Sequence, residues 1–525
     1  MLHFRLTKST IICLLLLISD FSFGQGTAYS VEDSYTTFKD MNNRSLRGWR
    51  DESLRDENNF LEGEGYIYYT GWKWGEICLT RISKNNPSES ITSQIEFPSG
   101  HILLHTGIKD NQFYVVYYEM EGGKAGKPIT LMYREYDFDK KDWLMEPIKY
   151  VEPHYELAYG TISSTGIGFN SHPFIRRTSN NEKHTIYAYS PLTWDKQDRD
   201  KISVALSDEN KIEWHETYTL PWSRPEGELF QTLIANDGIV YMIYGIKENE
   251  KGPRDGHQLK ILSLEGNGNF SIANLDIPFT FFSPSIKLVE HPVHGKIIMV
   301  QGGSDKKIPN KLFYAELLNN GKVKSTGQVD LGEITSASDA ASKNAPGWSI
   351  FEKKFTRYMK MYDFEVLDDD KILIEFHSFY STPNTGNLTL NGIGLLKFEI
   401  PSGNISWAQC IPINHITTNG TVLKYRHLKI ANTSHIIFSD SDRQNDNQSL
   451  LMPKRILRPT STVLKCYSIP HESGKISSRL LCNREGAKVP GLFISNHCIY
   501  YQNQLLIDVS TLSGKRSILT IPIKL

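Results

Sequence analysis

Histidine, arginine and tyrosine recur in a set of short, strand-like runs of this chain. His101-Ile102-Leu103-Leu104-His105 brings two histidines to one run. His172-Pro173-Phe174-Ile175-Arg176-Arg177 brings a histidine and two arginines to another. Tyr362 lies in a further run of this kind, and Tyr425-Arg426-His427 opens the next. Tyr189 ends the aromatic run Thr185-Ile186-Tyr187-Ala188-Tyr189, and Arg224-Pro225 opens a later segment. Acidic residues are scarcer in these runs.

That mixture suits eliminative cleavage of a uronic-acid polysaccharide. The reaction removes the proton at C5, next to a carboxylate. A cation must neutralise that carboxylate so that the proton becomes acidic. A base, His or Tyr, takes the proton, and an acid, Tyr or His, protonates the leaving oxygen. Arginine fits the first task because its planar fork grips carboxylates in a bidentate fashion. A glycoside hydrolase would instead want a pair of Asp or Glu side chains. The chain has no Gly-rich phosphate loop, no His-Glu-x-x-His and no Gly-x-Ser-x-Gly. Asp368-Asp369-Asp370 lies between two strand-like runs and reads as a solvated turn rather than a calcium loop.

For these residues to meet, a repeating scaffold must bring distant runs together. A short apolar, aromatic or β-branched run recurs along the chain, as in Phe113-Tyr114-Val115-Val116-Tyr117-Tyr118, Ile239-Val240-Tyr241-Met242-Ile243-Tyr244 and His435-Ile436-Ile437-Phe438. Each run is followed by a turn and a second strand-like run. The turns fall near Asn85-Asn86-Pro87, Asp139-Lys140-Lys141, Glu209-Asn210, Asn267-Gly268, Asn320-Gly321, Ser402-Gly403, Ser473-Gly474 and Ser513-Gly514. Each run is also preceded by another, and those preceding runs carry the His, Arg and Tyr residues. Four strands per unit at a mean period of about 60 residues give a β-propeller. The expected fold is therefore all-β, with about eight (seven to eight) four-stranded antiparallel blades over 59–525. The preceding runs become the innermost strands. Connections near 333–358, 378–392 and 439–460 are too polar for a core and are expected to be loops on one face.

Residues 1–24 read as a signal peptide. Arg5 and Lys8 form its basic region, 11–18 its apolar stretch, and Ser22-Phe23-Gly24 the small residues before cleavage. Residues 25–58 are a polar lead-in, extended or a short helix on the outside. The expected location is secreted or periplasmic, without a membrane span. The chain of 525 residues has 58 Lys and Arg against 59 Asp and Glu, a net charge of -1. That balance lacks the basic excess a nucleic-acid binder needs. A monomer is expected. Five cysteines follow the signal segment, Cys78, Cys410, Cys466, Cys482 and Cys498, at spacings that match no zinc ribbon and read as small buried hydrophobes. The sequence requires no cofactor and assigns no metal ligand, and it leaves a structural metal open.

The chain resembles the secreted propellers of the BNR-repeat type, including the polysaccharide lyases that cut ulvan. The resemblance rests on the order of the early blades. It runs from the His-bearing strand His101 to His105, through Leu131-Met132-Tyr133-Arg134 with Trp143 after it, to His172-Pro173-Phe174, Tyr187-Ala188-Tyr189 and Arg224-Pro225. The chain is diverged. Gly100-His101-Ile102-Leu103 stands where the family carries an Asp-x-His-Asn signature, His172-Pro173 replaces Tyr-Pro, and Arg224-Pro225-Glu226 replaces Arg-Pro-Tyr. The resemblance implies a lyase on an anionic, ulvan-like polysaccharide. His172 or His105 is then the base, Tyr189 or Tyr362 the acid or second base, and Arg176 or Arg224 the carboxylate neutraliser. His101, Arg426 and His427 are substrate-binding candidates. The alternatives are a non-catalytic propeller that binds glycans or proteins, and a sialidase-type glycoside hydrolase.

Overall fold

The computed structural model describes residues 27–30, 60–73, 76–86, 90–96, 101–120, 129–154, 174–189, 200–223, 226–247, 257–277, 280–303, 310–318, 320–343, 358–381, 388–417, 425–441, 462–483, 492–510, 516–523 and 525. They form eight antiparallel sheets, and in seven of them the strands lie side by side in chain order. Blades 1 to 7 span 60–96, 101–151, 175–219, 227–275, 280–330, 359–417 and 425–483. Blade 2 carries one extra short strand, Asp142–Trp143. Blade 8 spans 492–522, and its outermost strand comes from the other end of the chain. Thr27–Ser30 pairs with Arg516–Pro522, with Thr27 opposite Thr520 and Ser30 opposite Ser517. Part of the polar lead-in is therefore a blade strand, and the blades number eight.

The uninterrupted apolar runs are the second strands of the blades, and their composition follows from burial on both faces. Successive side chains of a strand point to opposite faces. In Val240–Lys247 of blade 4, Tyr241 and Ile243 pack with Leu288, Ile298 and Val300 of blade 5. Val240, Met242 and Tyr244 pack with Ile186, Val204 and Leu206 of blade 3. Such a strand cannot alternate apolar and polar, because neither face meets water. The same arrangement recurs between every neighbouring pair of blades. It ends with Phe60, Ile67 and Tyr69 of blade 1 against Tyr501, Leu506 and Ile518 of blade 8. The core is thus a ring of apolar layers between blades, closed by this last layer and by the pairing of Thr27–Ser30. Deleting residues 27–30 would leave the Arg516–Pro522 strand as an open edge. That truncation is expected to lower the melting temperature and to promote association, read by thermal denaturation and size-exclusion chromatography.

The tight turns fall where the sequence places them, between third and fourth strands. Gly321 at φ 75° and Gly474 at φ 65° occupy the left-handed region that glycine enters without penalty. The Ser513-Gly514 turn lies between Gln504–Ser510 and Arg516–Pro522, outside the described residues. Asp368-Asp369-Asp370 is a turn, with Asp370 at φ 56° and Asp369 paired to Lys397 at 2.7 Å. Cys410, Cys466 and Cys498 are buried.

Two expected loops are corrected. In 333–358, Gly332–Lys343 is an α-helix on the core between blades 5 and 6. Ile334 is fully buried there, and Ala337 and Ala341 pack beside it. The buried face is made of small residues at helical spacing, so the segment's average polarity hides it. In 378–392, residues 378–381 and 388–392 are strand, belonging to Lys371–Ser381 and Leu388–Glu399. In 439–460, residues 439–441 end the strand Thr433–Ser441, and the rest lies outside the described residues. No helix among the described residues is long and apolar enough to cross a membrane.

Because each blade is a meander, the turns between first and second strands and between third and fourth leave from one face of the ring. The connections between second and third strands and between blades leave from the other. The starts of the innermost strands open towards this second face. His101–Lys109, Ile175–Thr178, Met359–Val366 and Tyr425–Ile430 are all innermost strands.

Candidate functional site

The described candidates fall mainly into two groups, one between blades 2 and 3 and one between blades 6 and 7. His172 and Arg224 lie outside the described residues.

In the first group, His105 Nε2 lies 3.1 Å from the Tyr114 hydroxyl, with the two rings edge to face. Tyr114 heads a ladder of tyrosines. Its ring is 5.5 Å from that of Tyr133, Tyr133 stacks on Tyr150 at 5.5 Å, and Tyr150 meets Tyr187 of blade 3 edge-on at 5.5 Å. The Tyr150 hydroxyl bonds Ser207. Arg176, on the innermost strand of blade 3, is the ladder register partner of Tyr187. Burial pushes the Tyr187 phenol up to about 12, and the charge and hydrogen bond of Arg176 hold it from rising further. The ladder thus joins His105 and Tyr114 on one blade to Arg176 on the next. His105, Tyr114 and Arg176 are half-buried, whereas Tyr187 is 2% exposed. Glycine at 107 makes room for the pair, because a Cβ there would lie 2.3 Å from the Tyr114 hydroxyl.

Tyr189 ends the second strand of blade 3 and is 1% exposed. Its hydroxyl lies 2.6 Å from His215 Nε2 and accepts the backbone N–H of His154 at 3.2 Å. The His154 ring stacks on that of His215 at 4.1 Å. Burial, with the charge of His154, lowers His215 to about 4, so the imidazole is neutral at pH 7 and the phenol donates to it. His101 sits edge to face with Tyr117 and 3.8 Å from Glu119.

In the second group, the buried carboxylate of Glu375 is the hub. His377 Nε2 donates to its Oε1 at 2.7 Å, and the Tyr425 hydroxyl donates to the same oxygen. His427 Nδ1 donates to Oε2. The Tyr362 ring stacks on His377 at 3.5 Å, and Lys287 of blade 5 reaches to 5.8 Å from that ring. Burial alone would raise the Glu375 carboxyl. The charge of His427 and the hydrogen bonds from both imidazoles outweigh it and hold the group well below the usual carboxylate range. Arg426 alternates to the other face of its strand, where its charge acts on the Cys498 thiol of blade 8.

Glu375, His377 and Tyr114 were not read from the sequence. A signal is present, because Glu375-Phe376-His377 follows the apolar run 372–374 directly. Period-two alternation then puts both polar groups on one face of a buried strand.

Three histidines make the fold acid-sensitive. His215, His435 and His471 are each lowered from 6.5 to about 4, in each case mainly by burial. Between those values the unfolded chain binds protons that the folded chain refuses, so stability falls as pH falls. The melting temperature is expected to drop steadily from pH 6.5 to 4, and His471→Gln is expected to flatten part of that slope.

No family model and no curated protein matches the chain. Among solved structures, the polysaccharide lyase Uly1 is similar at 9% identity, covering 95% of this chain and 98% of its own, with a TM-score of 0.39. Prolyl oligopeptidase B from Galerina marginata is similar at 9% identity over 90% of this chain and 57% of its own, with a TM-score of 0.39. The WD40 domain of SCAP from fission yeast is similar at 8% identity over 89% of this chain and 96% of its own, with a TM-score of 0.35. A lyase, a peptidase and a WD40 domain stand at the same distance, and likeness at that distance does not choose among their activities.

Proposed function

We propose that this propeller is a polysaccharide lyase that cleaves an anionic, uronate-containing polymer of the ulvan type by β-elimination. The observation that carries this reading is the 3.1 Å contact of His105 with Tyr114, joined through the rings of Tyr133 and Tyr150 to Tyr187, the register partner of Arg176 on the next blade. Arg176 takes the uronate carboxylate and draws charge from C5. His105 accepts the C5 proton, the electron pair forms the C4–C5 double bond, and the C4–O bond breaks. The Tyr114 hydroxyl gives its proton to the departing oxygen, and proton return from His105 restores the phenol. A base and an acid already in contact suit removal and delivery on the same side of the sugar ring. A retaining or inverting hydrolase would need two facing carboxylates. The carboxylate of Glu375 is instead surrounded by imidazole and phenol groups.

The test is incubation of the purified mature protein with a panel of uronate polysaccharides including ulvan. Ultraviolet absorbance of the unsaturated uronate product is the expected signal. New reducing ends without that absorbance would mean hydrolysis. Neither signal, with retention of the polymer on the protein, would mean a binding propeller.

A further inference from the structure

On the tight-turn face of blade 3, away from the Arg176 end, three ligating side chains meet. His184 opens the second strand, His184–Tyr189, and Asp208 ends the third, Lys201–Asp208. The two residues are register partners. Glu213 lies on the fourth strand, where Ser207 is opposite Ile212 but Leu206 is opposite Trp214. Glu213 is therefore the extra residue of a β-bulge, a device that re-aims side chains. One ligand atom from each of the three residues lies within 4.8 Å of the other two.

The His184 side chain is only 9% exposed, and its Nδ1 has no hydrogen-bond partner among the described residues. Facing it, Asp208 Oδ1 is also buried and also lacks one. The two atoms are 4.0 Å apart, too far for a hydrogen bond. Leaving both desolvated and unsatisfied is costly unless something between them binds both. A metal ion with bonds of about 2.0–2.2 Å to imidazole nitrogen and carboxylate oxygen does so with small movements of these side chains. Lys183 Nζ lies 3.5 Å from the outer oxygen of Asp208 and leaves Oδ1 to the cluster. The turn of blade 4 walls the site, since a Cβ on Gly238 would lie 3.7 Å from His184 Nδ1.

We propose that His184, Asp208 and Glu213 bind a divalent transition-metal ion of the zinc class. The imidazole nitrogen selects against calcium and magnesium, which prefer all-oxygen shells. Glu213 is exposed, so the remaining coordination position opens to water. An ion here ties three strands of blade 3 together at its contact with blade 4, a structural role independent of the lyase reading.

The test is Zn²⁺ titration of the full mature chain after dialysis against a chelator, by calorimetry and by metal analysis. One tightly held equivalent per chain and a higher melting temperature with Zn²⁺ are expected. Asp208→Asn and Glu213→Gln keep the side-chain shapes, and each should weaken binding by more than about 10-fold, the scale lost when even an outer partner of a metal ligand is removed. No Zn²⁺ uptake by the unaltered protein would overturn the proposal. So would uptake of Ca²⁺ in preference to Zn²⁺, or wild-type Zn²⁺ affinity in both variants.

Discussion

His105→Ala is expected to slow release of unsaturated uronate by about 10²- to 10⁴-fold, the range over which a positioned acid or base contributes. The loss should fall on kcat, because the imidazole is needed when the C5 proton moves rather than when the polymer binds. Tyr114→Phe should produce a loss of similar size. It keeps the ring against Tyr133 and removes only the hydroxyl that lies 3.1 Å from His105. Arg176→Lys preserves the charge but not the bidentate fork, so it should raise KM as well as lower kcat. Circular dichroism and melting curves must match the parent for the comparison to count. A folded His105→Ala variant with the parent's rate, on a polymer the parent cleaves, would move the base elsewhere, with His172 next in line.

The legibility of this chain in sequence divides along a physical line. Blade architecture was open to reading because burial on both faces makes second strands continuously apolar. Val240, Tyr241, Met242 and Ile243 each pack against one neighbour or the other. Turns were open to reading because positive φ selects glycine and asparagine. The blade closure was not, because Thr27–Ser30 finds its partner almost the whole chain away and carries no signature of its own. The helix Gly332–Lys343 was hidden because its core face uses alanine and serine. At the site, sequence placed His105, Arg176, Tyr362 and His427 on innermost strands, where they lie. It could not say which would meet. The strand register within blade 2 sends His105 to Tyr114, and the packing of blade 7 on blade 6 sends His427 and Tyr425 to Glu375. Glu375 sits on a second strand, where a search along the channel does not look.

Glu375→Gln is expected to cost about 3–5 kcal/mol, the penalty for removing one member of a buried, fully engaged ionic cluster. The carboxylate is 2% exposed and accepts from His377, His427 and Tyr425 at once. An amide of the same shape keeps one acceptor oxygen and turns a donor towards an imidazole that is itself donating. Two histidines and a phenol from blades 6 and 7 then lose their common partner, so the layer between those blades should loosen first. Chemical denaturation at pH 7 reads the cost. The pH dependence separates charge from packing. The folded carboxyl is held below its ordinary 4.5, so its contribution is present above that value and is lost as pH falls towards the folded pKa. The gap between parent and Glu375→Gln should therefore stay wide from pH 7 to 5 and narrow below about pH 4. A gap that does not change with pH would mean that Glu375 acts through shape alone, and that its charge does nothing to hold the two blades together.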